Sequence, residues 1–279
     1  MEHILSLSYG KDSLACLGAI ERLGWQLDRI VHAEVWATDT IPADPPPMVE
    51  FKAKADEIIK KRWGITVEHF RADLTYEEGF YHKINPETIQ LRKEKGKQNS
   101  KYQQYDDERA IWGFPIVKGP WCNSKLKMAA IKKAQKSSRD AVSVIGIAAD
   151  EPKRIERHAN KPNTLLPLVE LGWTEAECWK WCENNGLLAP IYTTATRGGC
   201  WFCHNQSVNQ LRLLRKTYPQ YWELLLKWDK DSPCTFKPDG HTVHDFERRF
   251  QAEDDGLIYP DDKIFRWSML DEELNYRWF

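Results

Sequence analysis

Near its N-terminus the chain carries a run of small, hydroxylated and charged residues, Ser8-Tyr9-Gly10-Lys11-Asp12-Ser13. The serine hydroxyls can donate hydrogen bonds, Lys11 supplies a positive charge, and Gly10 is expected to take a positive φ that lets the backbone approach an anion. A helix predicted to begin near Asp12 would direct its N–H groups and the positive end of its dipole to the same point. The spacing therefore predicts a phosphate-binding loop. The alternative is a plain turn in which Asp12 or Ser13 only caps the helix.

Seven cysteines are a second source of chemistry. Cys200 and Cys203 are separated by two residues, the spacing at which two thiolates can reach one metal ion, and a Gly-Gly pair precedes them. Cys122 lies far upstream with two lysines close behind it, and basic neighbours favour the thiolate form. Three alternatives remain open for these residues: an iron–sulfur cluster, a zinc site with Cys234 as a fourth ligand, and no metal at all.

The other cysteines are predicted to be packing residues. Cys16 falls on the apolar side of a predicted helix. Cys178 and Cys182 are four residues apart on a later helix, so they share a face, and tryptophans surround them. That spacing can bind a metal, but the apolar surroundings favour burial in the core.

Alternating strand and helix patterns position the phosphate loop. Strands are predicted over 4–7, 29–37, 65–70 and 141–148, and helices over 12–23 and 48–63, with Gly24 and Gly64 as their stops. This order implies parallel strands joined by right-handed crossovers. The sequence therefore predicts an α/β fold with a doubly wound, mostly parallel sheet. Such sheets bind their ligands at the carboxyl ends of the strands, which is where the loop lies.

The remaining segments are predicted to surround this sheet. Residues 73–120 are polar and aromatic, and they are interpreted as an insertion or lid. A capping box, Thr174 to Glu177, opens a helix that Gly186 closes, and residues 206–228 are predicted to be helical. The predicted organisation is a nucleotide-binding α/β domain over 1–205 and a helical, aromatic C-terminal appendage over 206–279.

Composition excludes several classes of protein. The net charge is −1 and no apolar run approaches the roughly 18 residues needed to span a bilayer, so a membrane is not an expected partner. The N-terminus lacks the basic region of a secretory signal, and the chain is expected to be cytoplasmic with reduced thiols. Local lysines form either a patch for RNA or DNA or a solvated helix face: Lys93, Lys95, Lys97, Lys101, Lys132, Lys133 and Lys136.

Taken together, five segments resemble the phosphoadenosine phosphosulfate (PAPS) reductase family. The phosphate loop resembles the pyrophosphate loop of the wider adenine nucleotide alpha-hydrolase superfamily. The family's later segments are matched in order by Thr38-Asp39-Thr40, Trp121–Lys127, Gly146–Arg157 and Arg197–Cys203. The resemblance covers about residues 3–210, and the last segment is similar to members encoded by phages and mobile elements.

The chain departs from the family pattern at four points. Tyr9 replaces the usual second glycine of the loop, Ile41 rather than glycine follows Thr40, and Ala148 stands where an arginine is common. The family's reductases also use a cysteine near the C-terminus to attack the sulfonyl sulfur, and this chain has no cysteine after Cys234. The sulfonucleotide reductase reaction is therefore disfavoured.

The resemblance implies roles for particular residues. Ser8, Tyr9, Gly10, Lys11, Asp12 and Ser13 would hold the phosphates of ATP, PAPS or adenosine phosphosulfate (APS), together with Mg²⁺. Asp39 would lie near the adenosine, and Arg154 and Arg157 would clamp phosphate or sulfate oxygens. Lys11, Asp12 and Arg154 are the predicted catalytic residues. Cys122, Cys200 and Cys203 would bind a [4Fe-4S] cluster, with Zn²⁺ as the alternative.

The resulting hypothesis is an ATP-dependent enzyme that activates a substrate by adenylation and transfers sulfur at the cysteine site. RNA or DNA is a candidate substrate, the sulfur or electron donor is unknown, and a homodimer is kept open. The alternative within enzymes is a reductase of PAPS or APS. The alternative from another class is a non-catalytic nucleotide-binding subunit of a phage or defence assembly.

Overall fold

The computed structural model describes residues 1–94, 111–115, 121–136, 140–158, 160–193 and 198–270, without the side chains of residues 89, 92 and 93. Two compact units divide the chain. The first comprises Met1–Tyr76 and Trp121–Cys200, and the second comprises the described parts of Glu77–Pro120 and Trp201–Phe279. The predicted domain boundary at residue 205, with 73–120 as an insertion into the first domain, remains a prediction.

A five-stranded sheet forms the centre of the first unit, and all of its strand pairs are parallel. The strands are β1 (Glu2–Ser6), β2 (Arg29–Glu34), β3 (Val67–Arg71), β4 (Ala141–Val144) and β5 (Thr164–Leu165). Their order is β3-β2-β1-β4-β5, so the winding reverses between β1 and β4. The predicted doubly wound α/β fold is confirmed, with helices on both faces of the sheet. β1 ends one residue earlier than predicted, β2 three and β4 four.

The described helices are, in chain order, α1 (Lys11–Leu23), α2 (Pro46–Trp63), α3 (Tyr76–Phe80), α4 (Pro86–Glu94), a π-helix (Asn123–Lys127) that continues into α5 (Met128–Gln135), α6 (Pro152–His158), α7 (Pro167–Glu170), α8 (Glu175–Asn184), a 3₁₀ turn (Pro190–Thr193), α9 (Val208–Thr217), α10 (Pro219–Asp231) and α11 (Val243–Asp254). The predicted stops of α1 and α2 are confirmed. Gly24 and Gly64 have φ values of 64° and 72°, the left-handed conformation that glycine adopts without steric cost. No helix in these described ranges is both long and apolar enough to cross a membrane.

Helix α8 packs closely against α1, and the Cys182 thiol donates to the Lys11 carbonyl in the first turn of α1. The predicted capping box is present, because the Thr174 side chain accepts from the Glu177 N–H while the Glu177 carboxylate accepts from the Thr174 N–H. Gly18 lies against the Trp181 ring, where a Cβ atom would come within 2.3 Å of it. Three fully buried thiols lie in the same core, as predicted for Cys16, Cys178 and Cys182.

The second unit contains the helical, aromatic C-terminal part. The continuous helix predicted over 206–228 is wrong, because α9 ends at Thr217 and α10 begins at Pro219. Proline disfavours a helical conformation in the residue before it, and Tyr218 accordingly has φ −132° and ψ 67°. Trp201 lies nearly parallel to both Tyr221 and Trp228, with ring centroids 4.8 and 5.6 Å away. This aromatic stack explains part of the chain's high tryptophan content.

Candidate functional site

The predicted phosphate loop joins β1, the central strand, to α1. The Ser13 hydroxyl donates to the Gly10 carbonyl at 2.9 Å and accepts from the Ser8 N–H at 3.1 Å. The two serine hydroxyls are 3.0 Å apart, and since Ser13 donates to Gly10, Ser8 donates to Ser13. Hydrogen bonds within the loop therefore fix its shape without a ligand.

The left-handed residue of the loop is Tyr9, and the expectation of a positive φ at Gly10 is wrong. Gly10 has φ −77° and ψ 156°, whereas Tyr9 has φ 57°. A left-handed tyrosine is unfavourable unless its surroundings hold it. The fully buried Tyr9 phenol donates to Asp56 and lies 3.3 Å from His69 Nε2. Tyr9 thus takes a backbone conformation that a glycine would take freely, and hydrogen bonding of its side chain holds it there.

The charge of Lys11 is shared between two carboxylates. Lys11 is 7% exposed, and its Nζ donates to Asp12 at 3.0 Å and to Glu175 at 2.9 Å. Burial alone would lower the pKa of Lys11, but these hydrogen bonds outweigh it, so the pKa is raised and the ammonium stays charged. Burial raises the pKa of Asp12, against the effect of Lys11. An incoming phosphate would therefore compete with Glu175 for Lys11.

Tyr192 is a contact of the loop that sequence reasoning missed. Its hydroxyl accepts from the Lys11 backbone N–H at 2.9 Å, at the first residue of α1, and a Cβ atom on Gly10 would lie 3.3 Å from it. Burial raises the pKa of Tyr192, so the phenol keeps its proton and can donate it to a ligand. The sequence offered no signal for this contact, because Tyr192 is 181 residues from Lys11.

Gly146 brings the segment after β4 against the same helix start. A Cβ atom on Gly146 would lie 2.8 Å from both the Cα and the N of Ser13, so only glycine permits this approach. The chain then reaches Glu151 and Arg154. Arg154 Nη1 donates to the two Glu151 oxygens at 2.8 and 2.7 Å, and the Arg154 side chain is 47% exposed. This segment places a second cation near the loop.

A cavity of about 790 Å³ adjoins the loop. That volume is within the range of small-molecule and cofactor sites. Its lining comes from the first unit alone and includes most of the predicted nucleotide residues: Ser8, Tyr9, Gly10, Lys11, Asp12, Arg154 and also Cys200. Ser13, the last residue of the loop, is outside the lining and hydrogen-bonds to Ser8 instead. Asp39 and Arg157 are exposed and lie outside the lining, and the Asp39 carboxylate instead accepts from Arg71 at 3.3 Å.

The three predicted metal ligands are divided between the two units. Cys122 precedes the π-helix and Cys200 lines the cavity, both in the first unit, whereas Cys203 belongs to the second. Cys234, the proposed fourth ligand, is buried and its thiol lies 3.4 Å from the Phe114 carbonyl. Within the described ranges, no three His, Cys, Asp or Glu side chains are arranged to hold a metal ion. The cluster and its zinc alternative remain predictions.

Some predicted residues fall partly outside the described ranges. Arg197, Lys95, Lys97 and Lys101 lie outside them, as does the side chain of Lys93. Lys132 and Lys133 of α5 are exposed, as is Lys136 directly after this helix, and Lys133 pairs with Asp73 at 2.7 Å. The patch predicted for RNA or DNA is thus untested as a binding surface.

A second polar group lines the cavity on β2 and α2, and sequence reasoning missed it too. His32 Nδ1 is 2.7 Å from the Leu7 carbonyl, and its Nε2 is 2.9 Å from Lys52 Nζ, which also donates to Asp44 at 2.5 Å. A carbonyl only accepts, so Nδ1 carries the proton and Nε2 accepts from Lys52. Burial, followed by the nearby Lys52 charge, lowers the pKa of His32 to about 3 and keeps it neutral.

Comparisons with known proteins add no relative: no protein-family model matches the chain, and no curated protein matches it. The resemblance to the PAPS reductase family therefore rests on the five sequence segments alone.

Proposed function

We propose that this chain is an enzyme that binds ATP, or the related nucleotides PAPS and APS, with the phosphates at Ser8–Ser13. The observation that carries the proposal is the cavity at the carboxyl end of β1, beside the point where the sheet reverses its winding. Parallel α/β sheets bind ligands at this point, and the N-terminus of α1 offers N–H groups and a positive dipole end to an anion.

The proposed reaction is adenylation. An oxygen of the second substrate attacks the α-phosphorus of ATP, a new O–P bond forms, and the bond from the α-phosphorus to the bridging oxygen breaks. The electron pair leaves with that oxygen, and pyrophosphate departs. Negative charge grows on the leaving group, so donors aimed at it stabilise the transition state.

Donors of the cavity are suited to hold that leaving group. Lys11 and Tyr192, whose ammonium and hydroxyl can donate, belong to its lining. Ser8 also lines it, and its hydroxyl would exchange Ser13 for a phosphate oxygen. Arg154 adds a guanidinium that it shares with Glu151. Mg²⁺ would neutralise phosphate charge when bound with the nucleotide, and it is commonly held by one or two carboxylates together with the phosphates. Asp12 and Glu175 are the carboxylates beside Lys11 that fit this role.

The experiment is a matched pair of charge changes on Lys11 and its partner. Lys11→Ala should weaken ATP binding by about 1.5–3 kcal/mol, the range for a charge-assisted hydrogen bond. In buffer without Mg²⁺, Glu175→Gln removes the carboxylate charge that competes for Lys11 and should leave ATP binding equal or tighter. Lys60→Ala, an exposed lysine of α2, is the control. Titration calorimetry measures the ATP affinity of all three variants. If Lys11→Ala binds ATP as tightly as wild-type protein, the loop only caps α1 and does not bind phosphate.

Product analysis separates the proposed enzyme from its alternatives. Release of pyrophosphate that depends on Lys11 supports adenylation, whereas release of sulfite from PAPS or APS supports the reductase. ATP binding with neither product, across a panel that includes RNA and DNA as acceptors, supports the non-catalytic nucleotide-binding subunit.

Sulfur transfer is the most demanding part of the proposal. It requires Cys122, Cys200 and Cys203 to act together, and Cys200 is the one of the three that lines the cavity. Anaerobically purified protein should contain iron and absorb visible light, and each Cys→Ser change should abolish that absorption. Cys16→Ser is the control, because Cys16 is fully buried in the core. If the protein is colourless and contains stoichiometric zinc, the site binds zinc rather than a cluster. If the three thiols are freely alkylated and no metal is present, the sulfur-transfer step is wrong.

A further inference from the structure

The cavity has a second wall, built from β2 and the start of α2, that binding of phosphates does not use. Most of this wall is apolar: Val31, Val35, Ala43 and Met48 are all buried and all line the cavity. One ion pair, Asp44 with Lys52, interrupts it. An apolar surface with a few fixed polar groups is the usual construction of a site for a flat organic ligand.

The ion pair retains hydrogen-bonding capacity for a ligand. An ammonium has three N–H groups, and Lys52 directs one to Asp44 at 2.5 Å and one to His32 at 2.9 Å. Its Nζ also lies 5.2 Å from the centre of the Tyr9 ring, a contact that uses no hydrogen bond, so one N–H can still be donated to a ligand. A carboxylate has about four acceptor positions, so Asp44 can accept further hydrogen bonds. The side chains of Lys52 and Asp44 are 13% and 27% exposed. The pair thus presents a donor and an acceptor side by side.

His32 fixes this pair relative to the phosphate loop. Its Nδ1–H donates to the carbonyl of Leu7, the residue directly before Ser8, and its Nε2 accepts from Lys52. Because His32 is buried and neutral, Nε2 keeps the lone pair that orients Lys52. The donor and acceptor are therefore held in a set position next to the loop.

We propose that the Asp44–Lys52 pair recognises the edge of the nucleotide base, with Asp44 accepting from the 6-amino group of adenine and Lys52 donating to the adjacent ring nitrogen N1. This inference rests on the proposed nucleotide-binding function and adds the base selectivity of the same cavity. The purine ring packs against the apolar wall formed by Val31, Val35, Ala43 and Met48.

The order of donor and acceptor gives the selectivity. Adenine presents an amino donor beside the N1 acceptor, whereas hypoxanthine presents a carbonyl acceptor beside an N1–H donor. With the phosphates held at the loop, a bound base cannot exchange these two positions. Inosine triphosphate (ITP) would therefore place its carbonyl against Asp44 and its N–H against Lys52, and two partly buried polar groups would lose their partners. Such mismatches cost a factor of about ten or more in affinity.

The test is titration calorimetry with three probes: ATP, ITP and inorganic pyrophosphate. Wild-type protein should bind ATP at least about tenfold more tightly than ITP. In Asp44→Asn the amide can both donate and accept, so the ATP-to-ITP ratio should fall toward one while pyrophosphate affinity is kept. Lys52→Gln should have the same effect on the ratio and serves as the second variant if one of the two folds poorly.

Matched controls come from lysine and aspartate outside the cavity lining. Asp73→Asn disrupts another aspartate–lysine pair, that with Lys133 at 2.7 Å, and Lys54→Gln changes an exposed lysine of α2. Both should keep the wild-type ratio. Equal affinity of wild-type protein for ATP and ITP, or a ratio that survives in both Asp44→Asn and Lys52→Gln, overturns the base recognition and leaves nucleotide binding standing. Wild-type protein that binds neither nucleotide nor pyrophosphate overturns both proposals.

Discussion

The lysine ion pairs of the cavity differ in chemistry from the arginine ion pairs that connect helices in the second unit. In the cavity of the first unit two lysines pair with three carboxylates: Lys11 with Asp12 and Glu175, and Lys52 with Asp44. In the second unit arginines connect helices. Arg212 of α9 donates through two nitrogens to Glu253 of α11 at 2.6 and 2.9 Å, and Arg215 does the same to Glu247 at 2.9 and 3.0 Å.

The difference follows from the shapes of the two cations. A guanidinium is a planar fork whose N–H groups match a carboxylate in pairs, so Arg212 and Arg215 use their geometry on helix partners. An ammonium is a point charge with three rotatable donors and can exchange a partner at small cost. The arginine pairs of the second unit are therefore suited to hold helices together, and the pairs of Lys11 are suited to rearrange around a phosphate, whereas His32 holds Lys52 in place.

The largest expected effect is at Arg249, the most buried cation of the helical network. It is 3% exposed, donates to Glu253 at 2.8 Å and also pairs with Asp262. Arg249→Ala leaves two carboxylates without this partner, and breaking a buried pair costs about 3–5 kcal/mol of unfolding free energy. Urea denaturation measures the loss, with the exposed neighbour Arg248 changed to Ala as the control. A loss below about 1 kcal/mol would contradict a structural role for this network.

The second-largest expected effect is a loss of stability on substitution of either of two closely packed glycines of the first unit. Gly146→Ala and Gly18→Ala each force a Cβ atom into occupied space, against the Ser13 backbone and the Trp181 ring respectively. Overpacking of this kind costs about 1–3 kcal/mol of unfolding free energy. Only Gly146→Ala should also weaken pyrophosphate binding, because Ser13 is part of the phosphate loop. If both variants fold and bind pyrophosphate with equal affinity, the close approach of Gly146 to Ser13 does not contribute to ligand binding.

A pH effect of opposite sign is expected at two neighbouring histidines, His32 and His69, whose rings are 5.3 Å apart. The pKa of His32 is lowered to about 3, so the unfolded state binds more protons below pH 6.5 and stability falls as the pH drops from 6.5 toward 3. Hydrogen bonds to Asp56 and Glu34 raise the pKa of His69 to about 9, so its contribution is complete below pH 6.5 and is lost as the pH rises through 9.

Thermal melts from pH 4 to 10 test both signs. His32→Gln should flatten the acidic limb of the stability curve, which for one proton has a slope of at most about 1.4 kcal/mol per pH unit. His69→Gln should flatten the alkaline limb instead. An acidic limb that is the same in wild type and His32→Gln would show that other groups cause it.

The smallest expected effect comes from two helix caps of the same type. Ser207 caps α9 and Thr174 caps α8, each in a reciprocal capping box. Ser207→Ala should cost about 1 kcal/mol of unfolding free energy. Thr174→Ala should destabilise in the same way and should also change ATP affinity, because the residue after this cap is Glu175, the partner of Lys11. Unchanged ATP affinity would confine the Thr174 cap to a structural role.

Local sequence patterns determined the framework of this protein. The predicted starts and stops of α1, α2 and α8 depend on residues within one helical turn, such as Gly24, Gly64 and the Thr174 cap, so a single sequence contains the information. The break between α9 and α10 could also have been predicted from the sequence, because Pro219 is a local signal for it. The prediction of one helix over 206–228 overlooked this proline. The alternation of strands and helices then restricted the sheet to parallel pairing.

Only the tertiary structure decided the details of the cavity. Tyr9 takes its left-handed φ because Asp56 and His69, 47 and 60 residues away, hold its hydroxyl. Tyr192 reaches Lys11 across 181 residues. Such contacts depend on how strands and helices pack, and neither residue type nor spacing along the chain encodes them. The sequence by itself therefore located the loop between β1 and α1, whereas the packing of β2, α2 and the 3₁₀ turn around it determined which side chains line the cavity.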